Sequence, residues 1–202
     1  MEIYNLVKNN DHTLLENYLQ DHKDDINHAF WTSCYLNKVD CATILLKYSV
    51  DINFVNVTNK QTPLMVACMY GHHLIVELLL EHGAEPDCTG DMDVTPLICA
   101  SSYGNHKCIK LLYQYGDINF QTKCGDTALH FAIRNAHVEC VKLLLENGAD
   151  PNIKNIYGES PKITLEGRSL NFVHKNKVKQ MKQLINTVDD LQPFVKFAGK
   201  IE

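Results

Sequence analysis

The chain has 202 residues, 45% of them hydrophobic and 21% charged, with a formal net charge of −5. That is the make-up of a globular protein with room for a sizeable core, and it excludes wholesale disorder. No run of 18 apolar residues exists to cross a bilayer, and Met1-Glu2-Ile3-Tyr4-Asn5-Leu6-Val7-Lys8 lacks the basic-then-apolar order of a signal peptide; a cytoplasmic setting is expected, with the nucleus as the alternative.

In chain order, Ile3, Leu6 and Val7 predict a short helix, and Leu14, Leu15, Tyr18 and Leu19 a second one ending near Asp24-Asp25-Ile26-Asn27. Asn27 runs almost directly into His28-Ala29-Phe30-Trp31, which opens another helix with no loop between. A fuller pattern begins at Thr62-Pro63-Leu64-Met65-Val66-Ala67. Thr62 can cap a helix whose first turn holds Pro63, where the missing N–H costs nothing. Leu64 and Ala67 share one face of it, beside Cys68. A second helix, near His73 to Glu81, carries Val76, Leu79 and Leu80 inward, and Gly83 supplies the left-handed residue that ends it.

The same sentence returns at Thr95-Pro96-Leu97-Ile98-Cys99-Ala100 and Thr127-Ala128-Leu129-His130-Phe131-Ala132, after 33 and then 32 residues. The links are Gly71-His72, Gly104-Asn105 and Ala136-His137, and a leucine run follows each. The turns that close them are Gly83-Ala84-Glu85-Pro86-Asp87, Gly116-Asp117-Ile118-Asn119 and Gly148-Ala149-Asp150-Pro151-Asn152. Asn53 to Thr62 is one residue longer than its counterparts, and the Gly116 turn one residue shorter. Gly158-Glu159-Ser160-Pro161 opens a further unit that Gly167-Arg168-Ser169-Leu170-Asn171 interrupts. Beyond it, Val178, Met181, Leu184 and Ile185 recur at helical spacing, so one face should cover the last repeat while the lysines meet water. Seven basic against three acidic residues give 167–202 a balance of +4, which leaves −9 for 1–166. Phe194-Val195-Lys196-Phe197, after Pro193, carries no assignable core pattern.

This repeating motif resembles the ankyrin repeat over roughly residues 1–165. The resemblance implies an all-α ankyrin-repeat solenoid of stacked helix-turn-helix units with degenerate caps. Residues 1–27 would form an N-terminal capping unit, 28–158 about four repeats, 159–188 a degenerate C-terminal capping unit with the basic helix, and 189–202 a tail. One helix pair cannot bury its apolar face alone, so stability should come from stacking. In ankyrin proteins partners usually contact the loop tips and the outer side of the first helices, along a concave surface. Mapped onto this chain, that implies Tyr35 and Leu36, Met69 and Tyr70, Ser102 and Tyr103, and Arg134 and Asn135 on the helices. The loop tips offer Thr58 and Lys60, Asp91 and Met92, Lys123 and Asp126, then Ile156 and Tyr157. Tyr70 and Tyr103 fall at one repeat position and should stand side by side, and tyrosine and methionine are enriched in interface cores.

Chemistry is sought with less result. Cys41, Cys108 and Cys140 fall where the central repeat has Ile75, and Cys34 and Cys68 share a place equivalent to Ser101 and Ile133, so they read as small buried hydrophobes in a reducing compartment. Only Cys88 and Cys124 should be exposed. Of the ten histidines, His72, His137 and His130 stand where the family uses histidine for hydrogen bonds between neighbouring units. No Cys/His spacing completes a zinc site, no base marks Cys124 as a nucleophile, and no phosphate or dinucleotide loop is present. No catalytic, metal or cofactor residue is therefore assigned. The expected function is a non-enzymatic, monomeric protein-interaction module with a protein partner; the alternatives are binding of nucleic acid or anionic lipid through Lys175, Lys177, Lys179 and Lys182, or recruitment within a longer protein.

Overall fold

The computed structural model describes residues 2–22, 25–167 and 175–198, with side chains as far as residue 187. Twelve α-helices form among these residues, and no strand. In order they are α1 (Glu2–Asn9), α2 (His12–Asp21), α3 (Ile26–Tyr35), α4 (Val39–Leu46), α5 (Pro63–Tyr70), α6 (His73–Glu81), α7 (Pro96–Tyr103), α8 (His106–Leu112), α9 (Ala128–Arg134), α10 (Val138–Glu146), α11 (Pro161–Gly167) and α12 (Lys175–Ala198). Odd-numbered helices pack on one another in sequence from α1 to α11, and even-numbered helices do the same from α2 to α12. The result is a two-layered solenoid of antiparallel pairs, the architecture that the repeat pattern implies.

Local chemistry explains where each helix starts and stops. Thr62 and Thr95 accept hydrogen bonds at Oγ1 from Met65 N and Ile98 N, both at 3.3 Å, with Pro63 and Pro96 in the first turn. Gly71 and Gly104 end α5 and α7 in left-handed backbone, φ 74° and 78°. At the equivalent places Asn37 and Ala136 take φ 57° despite their side chains. The links at His72, Asn105 and His137 then tie themselves to the unit before. His72 Nε2 lies 3.1 Å from the Tyr35 carbonyl and His137 Nε2 3.1 Å from that of Ser102, while Asn105 Nδ2 donates to Cys68 O and Met69 O at 2.8 Å. These side chains satisfy carbonyls that a helix end leaves open.

The core runs the length of the stack. Leu15, Leu45, Leu79, Ile109 and Leu144 fill the second-helix layer, and Phe30, Leu64, Ile98 and Leu129 the first. Cys34, Cys41, Cys68, Cys99, Cys108 and Cys140 are buried among them and unpaired. Val178, Met181 and Ile185 of α12 are buried where that helix meets α10 and α11, while Lys177, Lys179 and Lys182 are exposed. The backbone of α12 extends to Ala198, into the stretch beginning at 189 that the sequence sets apart as a tail. Asp24, the interrupting Arg168-Ser169-Leu170-Asn171 and the side chains of Phe194-Val195-Lys196-Phe197 lie outside the described residues.

Between units the chain makes four fingers, at residues 53–61, 87–94, 119–126 and 152–159. Each is closed by a backbone bond: Asn56 N to Gln61 O, Gly90 N to Val94 O, Thr122 N to Asp126 O, and Asn155 N to Glu159 O, at 2.9–3.1 Å. Asparagines at the bases of the fingers join successive turns. Asn27, Asn53 and Asn119 accept at Oδ1 from Asp51 N, Glu85 N and Asp150 N at 2.7–3.0 Å.

Candidate binding face of the first helices and fingers

The C-terminal ends of α3, α5 and α7 present Tyr35, Tyr70 and Tyr103, which are 38%, 52% and 57% exposed. They stand just past the buried stretches of these helices, which end at Cys34, Cys68 and Ser101. The ring of Tyr70 packs edge-on against Tyr35 at 5.0 Å and stacks near His72 at 6.0 Å; Tyr35 in turn stacks on Trp31 at 5.6 Å. Interaction with the Tyr35 hydroxyl, followed by slight burial, raises the pKa of Tyr70. Trp31 is anchored by its Nε1–H, which donates to Gln61 O at 3.0 Å. The ring contacts therefore join Tyr70 to Tyr35, and Tyr103 occupies the next place along on α7.

The other expected residues divide into presented and occupied groups. Asp91, Met92, Lys123 and Tyr157 are exposed on fingers. Lys123 Nζ pairs loosely with Asp93 at 3.6 Å, and its backbone N–H donates to Met92 O at 3.1 Å. Leu36 and Met69 are half-buried. Ser102 is half-buried as well, and its carbonyl accepts from Asn135 Nδ2 at 2.9 Å. Asp126 is buried and spent on structure: its carboxylate accepts from both Arg134 Nη1 and Nη2, at 3.0 and 2.8 Å, and from Asn155 Nδ2 at 2.9 Å. Burial pushes that carboxyl upward, but the Arg134 and Asn155 hydrogen bonds and the guanidinium charge outweigh it and hold the pKa below the usual carboxylate value. Arg134 lies over Phe131 at 5.4 Å, so its planar group is engaged on two sides.

The sequence does not point to a cavity of about 350 Å³ between the first two fingers. Buried Met65 and Ile98 and part-buried Met69 and Phe131 give it an apolar lining, with exposed Asp91 and Tyr103 beside them. The signals available were two departures from the repeat, the extra residue in 53–61 and Gly90 where the other fingers have Asn56, Thr122 and Asn155. Cys88 and Cys124 also differ from expectation, since both are half-buried. The Cys88 Sγ lies 3.3 Å from Thr62 Oγ1, and burial pushes its thiol pKa up. Among the described residues no three His, Cys, Asp or Glu side chains converge as metal ligands would, and no helix is long and apolar enough to cross a membrane.

Comparison with known proteins gives a consistent result. A family model described as ankyrin repeats in three copies matches residues 3–90 and 85–155. An ankyrin repeat protein of Fowlpox virus (strain NVSL) is 30% identical over 154 residues, covering 75% of this chain and 36% of the viral protein. Ankyrin repeat protein nuc-2 of Neurospora crassa is 39% identical over 119 residues, 58% of this chain and 11% of its own. Ankyrin repeat and SOCS box protein 3 of Bos taurus is 38% identical over 132 residues, 63% of this chain and 25% of its own. The chain thus spans from 11% to 36% of the length of these relatives.

Proposed function

The chain belongs to the ankyrin repeat family, and we propose that it is a non-enzymatic module that binds a partner protein through the concave face of its first helices and fingers. The observation that carries this reading is the run of exposed rings Tyr35, Tyr70 and Tyr103 along successive first helices. Tyrosine offers large contact area with few rotatable bonds, and a stacked scaffold holds it ready, so little ordering is needed when the partner arrives. Asp91, Met92, Lys123 and Tyr157 extend the contact surface on the fingers, whereas Asp126 and Arg134 support it from beneath. Eight unpaired cysteines, six of them buried, suit a reducing cytoplasmic setting. The bovine relative joins ankyrin repeats to a SOCS box in its name, and a recruitment unit within a longer protein is the corresponding role for this chain.

The double variant Tyr70→Ala/Tyr103→Ala tests the proposal. Its helical circular dichroism should match wild type, with a stability cost within about 0.5 kcal/mol per site. Affinity for a verified partner should fall by about 2 kcal/mol or more. Leu79→Ala, in the fully buried core of α6, is the folding control and should cost about 2–5 kcal/mol of stability. A double variant that unfolds like Leu79→Ala, or that binds as wild type does, rules out the concave site.

A second reading rests on the exposed lysines of α12. Affinity for RNA or anionic vesicles that falls steeply with salt and vanishes when Lys177, Lys179 and Lys182 become Gln would favour it over the concave face.

A further inference from the structure

The second and third fingers are joined by the bond from Lys123 N to Met92 O, and the third and fourth by Ile156 N to Cys124 O at 3.0 Å. Among the described residues no such backbone bond joins the first finger to the second. The reason is local. The first finger holds an extra residue with Lys60 at φ 56°, and the second bends through Met92 and Asp93 at φ 59° and 57°. Gly90 lets the two approach at a single point: a Cβ there would stand 2.6 Å from Met65 Cε and 2.9 Å from Lys60 O. Beyond that point the fingers part, and the 350 Å³ cavity opens between them.

Its chemistry is asymmetric. Met65, Met69, Ile98 and Phe131 make the lining apolar, and methionine adapts to side chains of different shape. The charged groups of the neighbouring fingers mostly cancel, Asp93 with Lys123 and Asp126 with Arg134. Asp91 lines the cavity and is exposed; its backbone carbonyl accepts from Val94 N at 3.2 Å, but its carboxylate has no ion-pair or hydrogen-bond partner among the described residues. Lys60, on the opposite finger, is exposed but does not line it. An incoming cation would meet the Asp91 carboxylate and the ring of Tyr103, both favourable, whereas an anion would meet an uncompensated like charge. The volume is at the lower end of ligand pockets, suited to one large side chain and the stem of its neighbour.

We infer that this notch is the anchor site of the concave face, and that it takes a peptide segment of the partner carrying a large apolar side chain next to a lysine or arginine. The inference rests on the concave-face reading and assigns its occupant. The apolar side chain enters between Met65, Met69 and Phe131, and the adjacent cation rests between Asp91 and Tyr103.

Selection of a random-peptide display library on the full chain, followed by fluorescence titration of the enriched synthetic peptides, tests it. Enriched peptides should share an apolar residue adjacent to Lys or Arg. Asp91→Lys should weaken them by about tenfold and Asp91→Asn by less, both with unchanged circular dichroism. Ser102→Phe, which fills the notch from its half-buried edge, should abolish binding, and replacing the peptide's basic residue with Glu should act like Asp91→Lys. The inference is overturned if no peptide is enriched, if the enriched peptides lack a basic residue, or if they tolerate Asp91→Lys and Ser102→Phe. Tyr35→Ala/Tyr70→Ala lies outside the notch and separates the two readings. Peptides lost on that variant but indifferent to the notch variants leave the concave face standing and remove the notch; peptides indifferent to both sets remove both.

Discussion

At His130 a buried ring does the work of a helix cap. Its Nδ1 accepts from the Thr127 N–H at 3.0 Å and faces Thr127 Oγ1 at the same distance, so the proton sits on Nε2, which donates to Glu159 O at 3.1 Å. A second proton would occupy the site that receives the backbone N–H. Burial is the main cause of the lowered pKa of His130, opposed by the Glu159 hydrogen bond and the Asp126 charge. A histidine depressed in the folded state binds fewer protons than it does unfolded, so its contribution is complete above its ordinary value of 6.5 and is lost as pH falls through the folded value. Urea midpoints should therefore drop between pH 7.5 and 5 more in wild type than in His130→Gln; equal drops would mean that the ring does not titrate with folding. Asp126, also depressed, acts in a separate window, its contribution being lost below its ordinary 3.8. The cysteines give a second prediction. Burial pushes Cys34, Cys99 and Cys140 up to about 12, and thiolates are the species that react. Native protein should label first at Cys124, then at Cys88, and at all eight only when denatured. Five of these placements, Cys34, Cys41, Cys68, Cys108 and Cys140, were legible from their place in the repeat; Cys88 was not, because its cover comes from Thr62, 26 residues away.

At the scale of the element, helix limits follow from local chemistry and were legible for that reason. Thr62-Pro63 and Thr95-Pro96 state the start, and Gly71 and Gly104 the end, without help from the rest of the fold. The ties between elements were legible only by position. His72, Asn105 and His137 stand at one repeat place, and all three bond carbonyls at the end of the preceding unit's first helix. Asn105→Ala should leave Cys68 O and Met69 O without that donor and cost about 1–3 kcal/mol in urea denaturation. Asn105→His should cost clearly less, since imidazole makes the same tie from the neighbouring links; an equal cost for both would show that the amide has a role of its own. The Asp126 network was hidden from the sequence because Arg134 and Asn155 reach it from eight and 29 residues away. The notch was hidden for a different reason. It is a bond not made between two fingers, and an extra residue in one finger does not reveal which neighbour it will separate from.

On the scale of the whole molecule, a stack in which each unit touches only its neighbours should not be equally stable along its length. The middle units are buried on both sides. In α5, Pro63 through Cys68 are all buried, and so are Pro96 through Ser101 in α7. The N-terminal pair has one neighbour and contributes Ile3 and Val7 from α1 and Leu15 and Leu19 from α2. Only four residues separate the end of α2 at Asp21 from the start of α3 at Ile26, and among the described residues no ladder bond pins this pair to the next unit. Its ties are few and partly exposed, among them the ion pair from Lys47 to Glu16 at 3.1 Å and a weak bond from Cys41 Sγ to Asn10 Oδ1 at 3.7 Å. Exposed pairs of that kind contribute only about 0–1 kcal/mol. Hydrogen exchange followed by mass spectrometry should therefore give a gradient, with peptides from α5 to α8 the most protected and those from α1 and α2 exchanging at least about tenfold faster through local opening. Raising the salt concentration should steepen the gradient at that end by screening Lys47–Glu16. Leu79→Ala should lower protection in α5 to α8 toward that of the ends. If α1 and α2 instead exchange at the rate of α5 to α8 under native conditions, the chain opens as one cooperative unit and the sum of neighbour interfaces does not describe its stability.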